Sequence, residues 1–383
     1  MISLLLAIIY IAFISLGLPD SLLGSAWPQM RVELDAPLSL AGVISIIITL
    51  GTIISSLLSD KATRRFGAGK ITAISTAMTA AALYGFSVSK EIWMLCIFAI
   101  PYGLGAGAID AALNNYVAIN FAARHMSWLH CMWGVGASIS PYIMSAALTN
   151  SGKWQNGYLS VALIQGVLTL FLFLSLPLWK KKMGEESTFQ KSPAKNLFKI
   201  KGVLYVLVTF FGYCAFEATA GLWASSFLVQ AKGIDSTVAA RFAALFYIGI
   251  TAGRFLCGFV ADKLGDKALI RIGLTVISAG TVCVALPVNT LSLVGLVTIG
   301  FGCAPIYPSI IHSTPIRFGK ENSQKIVGIQ MASAYTGSAL MPPLFGVIAD
   351  FINIRLLPLF IGFFTVLMIV MLTVADKKTR ADN

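Results

Sequence analysis

Gly51-Thr-Ile-Ile-Ser-Ser-Leu-Leu-Ser59-Asp60-Lys61-Ala-Thr-Arg64-Arg65-Phe66-Gly67 closes one apolar run and opens the next, and a version of it returns in the other half of the chain. The second version reads Gly253-Arg254-Phe-Leu-Cys-Gly258-Phe-Val-Ala-Asp262-Lys263-Leu264-Gly265, with Lys267 just beyond. Gly51 and Asp60 superpose on Gly253 and Asp262 at an offset of 202 residues. Farther on, Gly136-Ala-Ser-Ile-Ser-Pro141 matches Gly337-Ser-Ala-Leu-Met-Pro342 at an offset of 201. Two matches at nearly one offset describe a tandem of two related halves.

Both copies lie in surroundings too apolar for water. Of the 383 residues, 57% are hydrophobic and 11% charged, and mean hydropathy is +0.82. Soluble domains carry about a quarter of their residues charged, so the composition reads as an all-α membrane protein. The net charge of +12 sits mostly in short loops, with no helix-turn-helix, zinc spacing or basic arm, so nucleic acid is not an expected partner. Six cysteines fall in or beside apolar runs without a CxxC pair and read as small fillers of helix interfaces, not disulfides or metal ligands. No nucleophile–base pair or phosphate-binding glycine loop suggests an enzyme, and no soluble domain is attached. The first apolar stretch, from Ile2 to about Ser25, lacks a basic leader and reads as a retained helix.

A helix needs about 20 apolar residues to cross the hydrocarbon core. Such runs begin near Ser3, Ser39, Ala68, Ile92, Ser127, Tyr158, Val203, Ala239, Ala268, Leu291, Gln324 and Ile354, which predicts twelve spans. Loop charge orients them: 21 of the 28 Lys and Arg fall on the side that holds both termini and six on the other. The positive-inside rule then makes both termini cytoplasmic. The longest polar interruption, Lys180 to Lys201, divides six spans from six, giving bundles at 1–179 and 202–383 joined by a linker at 180–201. Trp27, Trp93, Trp154 and Trp179 lie near span ends and read as membrane-interface anchors.

Four ionisable residues, Asp20, Asp110, Glu217 and Arg254, fall inside the spans. Charge at bilayer depth costs a few kcal/mol or more, so such residues line polar pathways. Asp20 lies late in the first span, after Pro19. Asp110 and Asn114, one helical turn apart in the fourth span, share a face. Three alternating glycines, Gly103, Gly105 and Gly107, precede them and permit close helix contact. A carboxylate beside an amide suits the gripping of hydroxyls, and buried carboxyls are suited to exchanging protons. In the fifth span His130 and Trp133 share a face; the ring is either an interhelical hydrogen bonder or part of a binding surface with Trp133. The second half offers Tyr213 and Glu217 one turn apart, then Trp223, Tyr307, Gln330 and Ser333. His312 falls opposite Asp110 at an offset of 202 and receives no role.

The segment Gly51–Gly67 resembles the loop motif between the second and third helices of the major facilitator superfamily, with Asp60 and Arg64-Arg65 in place and Ser59 standing for the usual glycine. The resemblance spans the whole chain and implies two pseudo-symmetric six-helix bundles with a substrate site between them. It also implies a cytoplasmic latch, for which Asp60, Arg64, Arg65, Arg254 and Asp262 are the candidates. More narrowly, Asp20 with Asp110 and Asn114 resembles the fucose/galactose/glucose:proton symporter family, which uses both acids for sugar binding and proton coupling. The departures are Asp110 where that family's fucose permease has Glu, and Asn115 where it has Pro.

The expected protein is therefore a secondary transporter of a bacterial cytoplasmic membrane, monomeric, importing a sugar with protons and needing no metal or cofactor. Asp20 and Asp110 are the expected coupling acids, joined in substrate binding by the polar residues named above. Sodium remains open as coupling ion. Gly134, Gly136 and Pro141 form a fragment of an antiporter motif, which leaves proton-coupled efflux of amphipathic compounds as the alternative; Ser140 counts against it.

Overall fold

The structure, a computed structural model, describes residues 2–36, 40–186 and 197–380. The middle of the polar linker, 187–196, lies outside the described residues. The helices are α1 (Ile2–Gly17), α2 (Leu22–Glu33), α3 (Leu40–Phe66), α4 (Ala68–Val88), α5 (Ile92–Asn120), α6 (Ala123–Ser151) and α7 (Trp154–Glu186). Then come α8 (Val203–Lys232), α9 (Ser236–Ala285), α10 (Asn289–Cys303), α11 (Ile306–Phe318), α12 (Lys320–Ile348) and α13 (Leu357–Arg380).

Among the described residues, ten helical segments are long and apolar enough to cross a membrane. Two of these are of double length, Phe242–Ala285 with 44 residues and Lys320–Thr379 with 60. At about 1.5 Å per residue, each exceeds one bilayer thickness twofold or more. The first is broken at Gly265, which takes φ 74° and ψ 159°. The second is interrupted by π and 3-10 turns between Ala349 and Leu356. Chain length and breaks therefore accommodate twelve crossings.

Prolines place two further breaks. Pro19 lacks the N–H a helix interior requires, and the chain turns between α1 and α2 so that Asp20 emerges at the discontinuity. Pro305 similarly separates α10 from α11, just before Tyr307. Polar side chains and interrupted backbone thus coincide in both halves.

The chain divides into two compact units, Met1–Tyr116 with Leu129–Ser192, and Val117–Trp128 with Pro193–Asn383. The turn between α5 and α6 clusters with the second unit, although both helices belong largely to the first.

Each unit is drawn together by glycines pressed on a neighbouring carbonyl. A Cβ at Gly103 would strike the Ile48 carbonyl, and one at Gly136 the Ile14 carbonyl. In the second unit Gly300 meets the Phe246 carbonyl in the same way, and Gly337 the Phe211 carbonyl. Gly67 and Gly265, both with positive φ and extended ψ, turn the chain at equivalent places. The register through Gly67/Gly265 and Gly103/Gly300 is 198 and 197 residues, one helical turn short of 202. On it Asp110 lies opposite Tyr307, so the alignment of His312 with Asp110 is corrected. Asp60 precedes its turn glycine by seven residues and Asp262 by three, so the two acids are not equivalent either.

Three of the four tryptophans expected at the membrane interface are buried instead. Trp27 and Trp154 belong to the core of the first unit with Leu22, Met30, Phe86 and Tyr158. The Trp154 indole N–H donates to Glu33 at 2.8 Å. Trp179 covers Gly69 and packs against Tyr116. Only the position of Trp93, 61% exposed, suits an anchor among these four. The outward stripe of α7, Leu163, Val167, Leu170, Phe171 and Leu174, repeats at helical spacing and presents the apolar face a bilayer requires.

Candidate functional site

In the first unit α5 and α6 assemble two polar clusters. The crossing of α1 over α6 is tight because Gly17 lies against the Trp133 carbonyl and Gly136 against that of Ile14. That approach brings Asp20 to Trp133, whose indole N–H donates to Oδ2 at 2.8 Å. The Tyr102 hydroxyl donates to Oδ1 at 3.1 Å. Asp20 is thus held by one donor on each oxygen while its side chain stays exposed.

Deeper in the same unit, Asn114 Nδ2 donates to Asp110 Oδ1 at 2.7 Å and also meets the Asp110 carbonyl at 3.0 Å. Asn114 Oδ1 faces His130 Nε2 at 2.9 Å. An amide oxygen only accepts, so Nε2 carries the proton in this contact. Asp110, Asn114 and His130 are 5%, 0% and 6% exposed, a buried carboxylate–amide–imidazole chain across two helices. The edge of the His130 ring also packs on Phe13 of α1. The structure does not join Asp20 directly to this chain; the two clusters share the α5–α6 pair.

In the second unit Glu217 of α8 and Arg254 of α9 form an ion pair at 3.7 Å, with side chains 22% and 5% exposed. Arg254 Nε is buried without a hydrogen-bond partner. The partner of Arg254 in this structure is Glu217. The Tyr213 hydroxyl donates to the Cys303 carbonyl at 2.9 Å. Tyr307 stacks against Phe210, with 4.6 Å between ring centroids, and its hydroxyl meets the Met331 sulfur at 3.3 Å. Gln330 accepts from Thr314 at 3.1 Å, while its Nε2 is buried without a partner. Trp223 is committed to packing, its N–H on the Pro342 carbonyl at 2.9 Å and its ring against Phe345. Ser333 donates back to the Leu207 carbonyl.

The other latch candidates make contacts of their own. Asp60 binds Arg64 within α3 at 2.8 Å, and Arg65 lies over the Phe66 ring. Asp262 pairs with Arg124 on the α5–α6 turn, at 3.2 Å to Nε and 3.2 Å to the backbone N–H. Tyr102, Arg124, Asp266 and His312 were not singled out as site residues by the sequence. Tyr102 stands two turns before Asp110, a spacing that flags it in retrospect. His312 reaches Asp266 at 2.7 Å and the Phe121 carbonyl at 3.1 Å. Among the described residues no group of three or more His, Cys, Asp or Glu is placed to hold a metal ion.

Two overlapping stretches, residues 9–240 and 205–383, match the family model of the Major Facilitator Superfamily. The chain belongs to that superfamily. It is accordingly a multi-pass membrane transporter and not an enzyme. It is similar to the glucose/mannose transporter GlcP of Bacillus subtilis, 22% identical over 382 residues that cover 97% of this chain and 94% of the relative. The bypass of stop codon protein 6 of Saccharomyces cerevisiae is also 22% identical, over 91% of this chain and 78% of its own. Among solved structures, an E. coli fucose:proton symporter, FucP, superposes with a TM-score of 0.77 at 16% identity, covering 97% of this chain and 98% of that one. That likeness establishes the fold.

Proposed function

We propose that this chain imports a sugar or similar polyhydroxylated small molecule together with protons, by alternating access, with both termini in the cytoplasm. The observation that carries the reading is the buried Asp110–Asn114–His130 chain. A carboxylate placed among hydrogen-bonding partners at bilayer depth is costly unless it serves a pathway, and a proton binding it removes that cost when cargo arrives. Asp20, gripped by Trp133 and Tyr102, supplies a second acid and two aromatic faces beside it. The similarity to a glucose/mannose transporter and a fucose:proton symporter favours sugar as cargo class. The loop-charge asymmetry supports the orientation.

Asp110 and Asp20 are the proposed coupling groups, with Asn114, His130 and Trp133 as binding partners. The second unit contributes Tyr213, Glu217, Tyr307 and Gln330. Reconstituted into liposomes under an inward proton gradient, the protein should accumulate a labelled hexose, and Asp110→Asn should abolish accumulation while leaving counterflow exchange. Gradient-driven accumulation at wild-type level by Asp110→Asn refutes the coupling role. Outward movement alone refutes the direction.

A further inference from the structure

Four kinds of contact place the α5–α6 turn within the second unit. Arg124 holds Asp262, and Trp128 donates to the Phe255 carbonyl while its ring covers Gly258. Ala123 packs with Ala261 and Leu269. The fourth contact, His312 on the Phe121 carbonyl, is chemically different because of what lies on the other side of its ring.

Both imidazole nitrogens of His312 face oxygen. Nε2 is 3.1 Å from the Phe121 carbonyl, which can only accept, so Nε2 carries a proton. Nδ1 is 2.7 Å from Asp266 Oδ2, a distance that demands a hydrogen between them. A neutral imidazole has one N–H, and an ionised carboxylate has none. The pair therefore holds one proton more than a neutral ring beside a carboxylate, whether that proton sits on Nδ1 or on Asp266. Both side chains are about nine-tenths covered, and Asp266 Oδ1 is buried with no hydrogen-bond partner.

We propose that Asp266 and His312 form a proton-binding site, separate from the acids of the first unit, which supplies one of the contacts that hold the α5–α6 turn on α9 and α11 and gives up that contact when the proton leaves. After deprotonation the ring keeps a single N–H, and the carboxylate outcompetes a carbonyl for it because a charge-assisted bond is the stronger. The Phe121 carbonyl then loses the His312 donor. Asp262 and Arg124 face the site from α9 and the start of α6, and His125, also at the start of α6, meets Trp128 edge to face. Lys267, Arg271, Arg317 and Asp376 form a neighbouring cluster on α9, α11 and α13. Among these His125 is a second imidazole and must be controlled. The consequence for transport, a turn held more firmly at low than at high pH on its own side, rests on the alternating-access reading; the proton site does not.

The test is the Trp128 emission of the full-length protein in nanodiscs between pH 5 and 9, obtained as the difference from Trp128→Phe, in a His125→Gln background. A one-proton transition is expected, absent in His312→Gln and in Asp266→Asn. A transition that persists in both variants, or none in the parent, overturns the proposal. Should neither variant fold, hydrogen exchange of the 117–128 peptide in the unmodified protein decides. Protection beyond the intrinsic pH dependence should fall as pH rises, and constant protection overturns the site. An unchanged Trp128 titration in a protein that takes up no sugar supports this site and counts against the transport reading alone.

Discussion

Removing either member of the Glu217–Arg254 pair should cost more than removing both. At 3.7 Å and an effective dielectric of about 20, the attraction is about 4–5 kcal/mol. Both charges were desolvated to reach that position, and with one partner gone the other keeps its desolvation cost with nothing to offset it. Truncating one side of such a buried pair typically costs about 3–5 kcal/mol, whereas replacing the pair by neutral groups is far milder. Arg254 is the more sensitive end, being 5% exposed with an unpartnered Nε. Glu217→Gln alone should therefore destabilise more than Glu217→Gln with Arg254→Met, with a coupling of about 2–3 kcal/mol. Unfolding by SDS titration in mixed micelles, run as a double-mutant cycle, measures it. Single variants that each lose under about 1 kcal/mol, or a double variant that loses their sum, would refute the assignment of a buried, mutually dependent pair.

Three shorter predictions follow from the same geometry. Gly136→Val puts a side chain into the Ile14 carbonyl, a backbone atom that cannot swing aside; overpacking of about 1–3 kcal/mol or more should appear as lost expression or a lowered Tm. Trp133→Phe keeps the ring but removes the shorter of the two bonds to Asp20; at about 1.5–3 kcal/mol for a charged acceptor, hexose uptake should fall about tenfold or more, and Tyr102→Phe should fall less. Asp376→Asn leaves Lys267, Arg271 and Arg317 without their common carboxylate; a loss of about 2 kcal/mol, shrinking as salt is raised, would show in thermal unfolding at two ionic strengths.

The spans were legible because an apolar run of membrane length permits little besides a helix. Asp20 was legible for a related reason: Pro19 cannot sit in a helix interior, so a break and an acid coincide in the chain itself. Asp110 and Asn114 declared themselves by a one-turn spacing. Tyr102, eight residues from Asp110 and far in sequence from Asp20, depends on how α1 meets α5, which no local pattern encodes. The His312 contact with Phe121 bridges residues 191 apart and was invisible for the same reason. The misplaced tryptophans show a different ambiguity. An indole near a span end has the same neighbours in sequence whether it faces headgroups or, like Trp154, the bundle. The repeat offset of 201 holds at Gly136 and Gly337 but slips by about one turn at Gly67/Gly265 and Gly103/Gly300: four residues come to within about 40° of a full helical turn, so a match slipped by one turn still pairs like with like.

That slip has an evolutionary reading. Gaining or losing one turn is the gentlest length change a packed helix can accept, since every inward side chain stays inward and only the distance to the following bend alters. A duplicated half could take such a step without losing its seat. Asp60 ended on a cation of its own helix and Asp262 on the connecting turn of another, so twin segments of common ancestry came to answer to different neighbours.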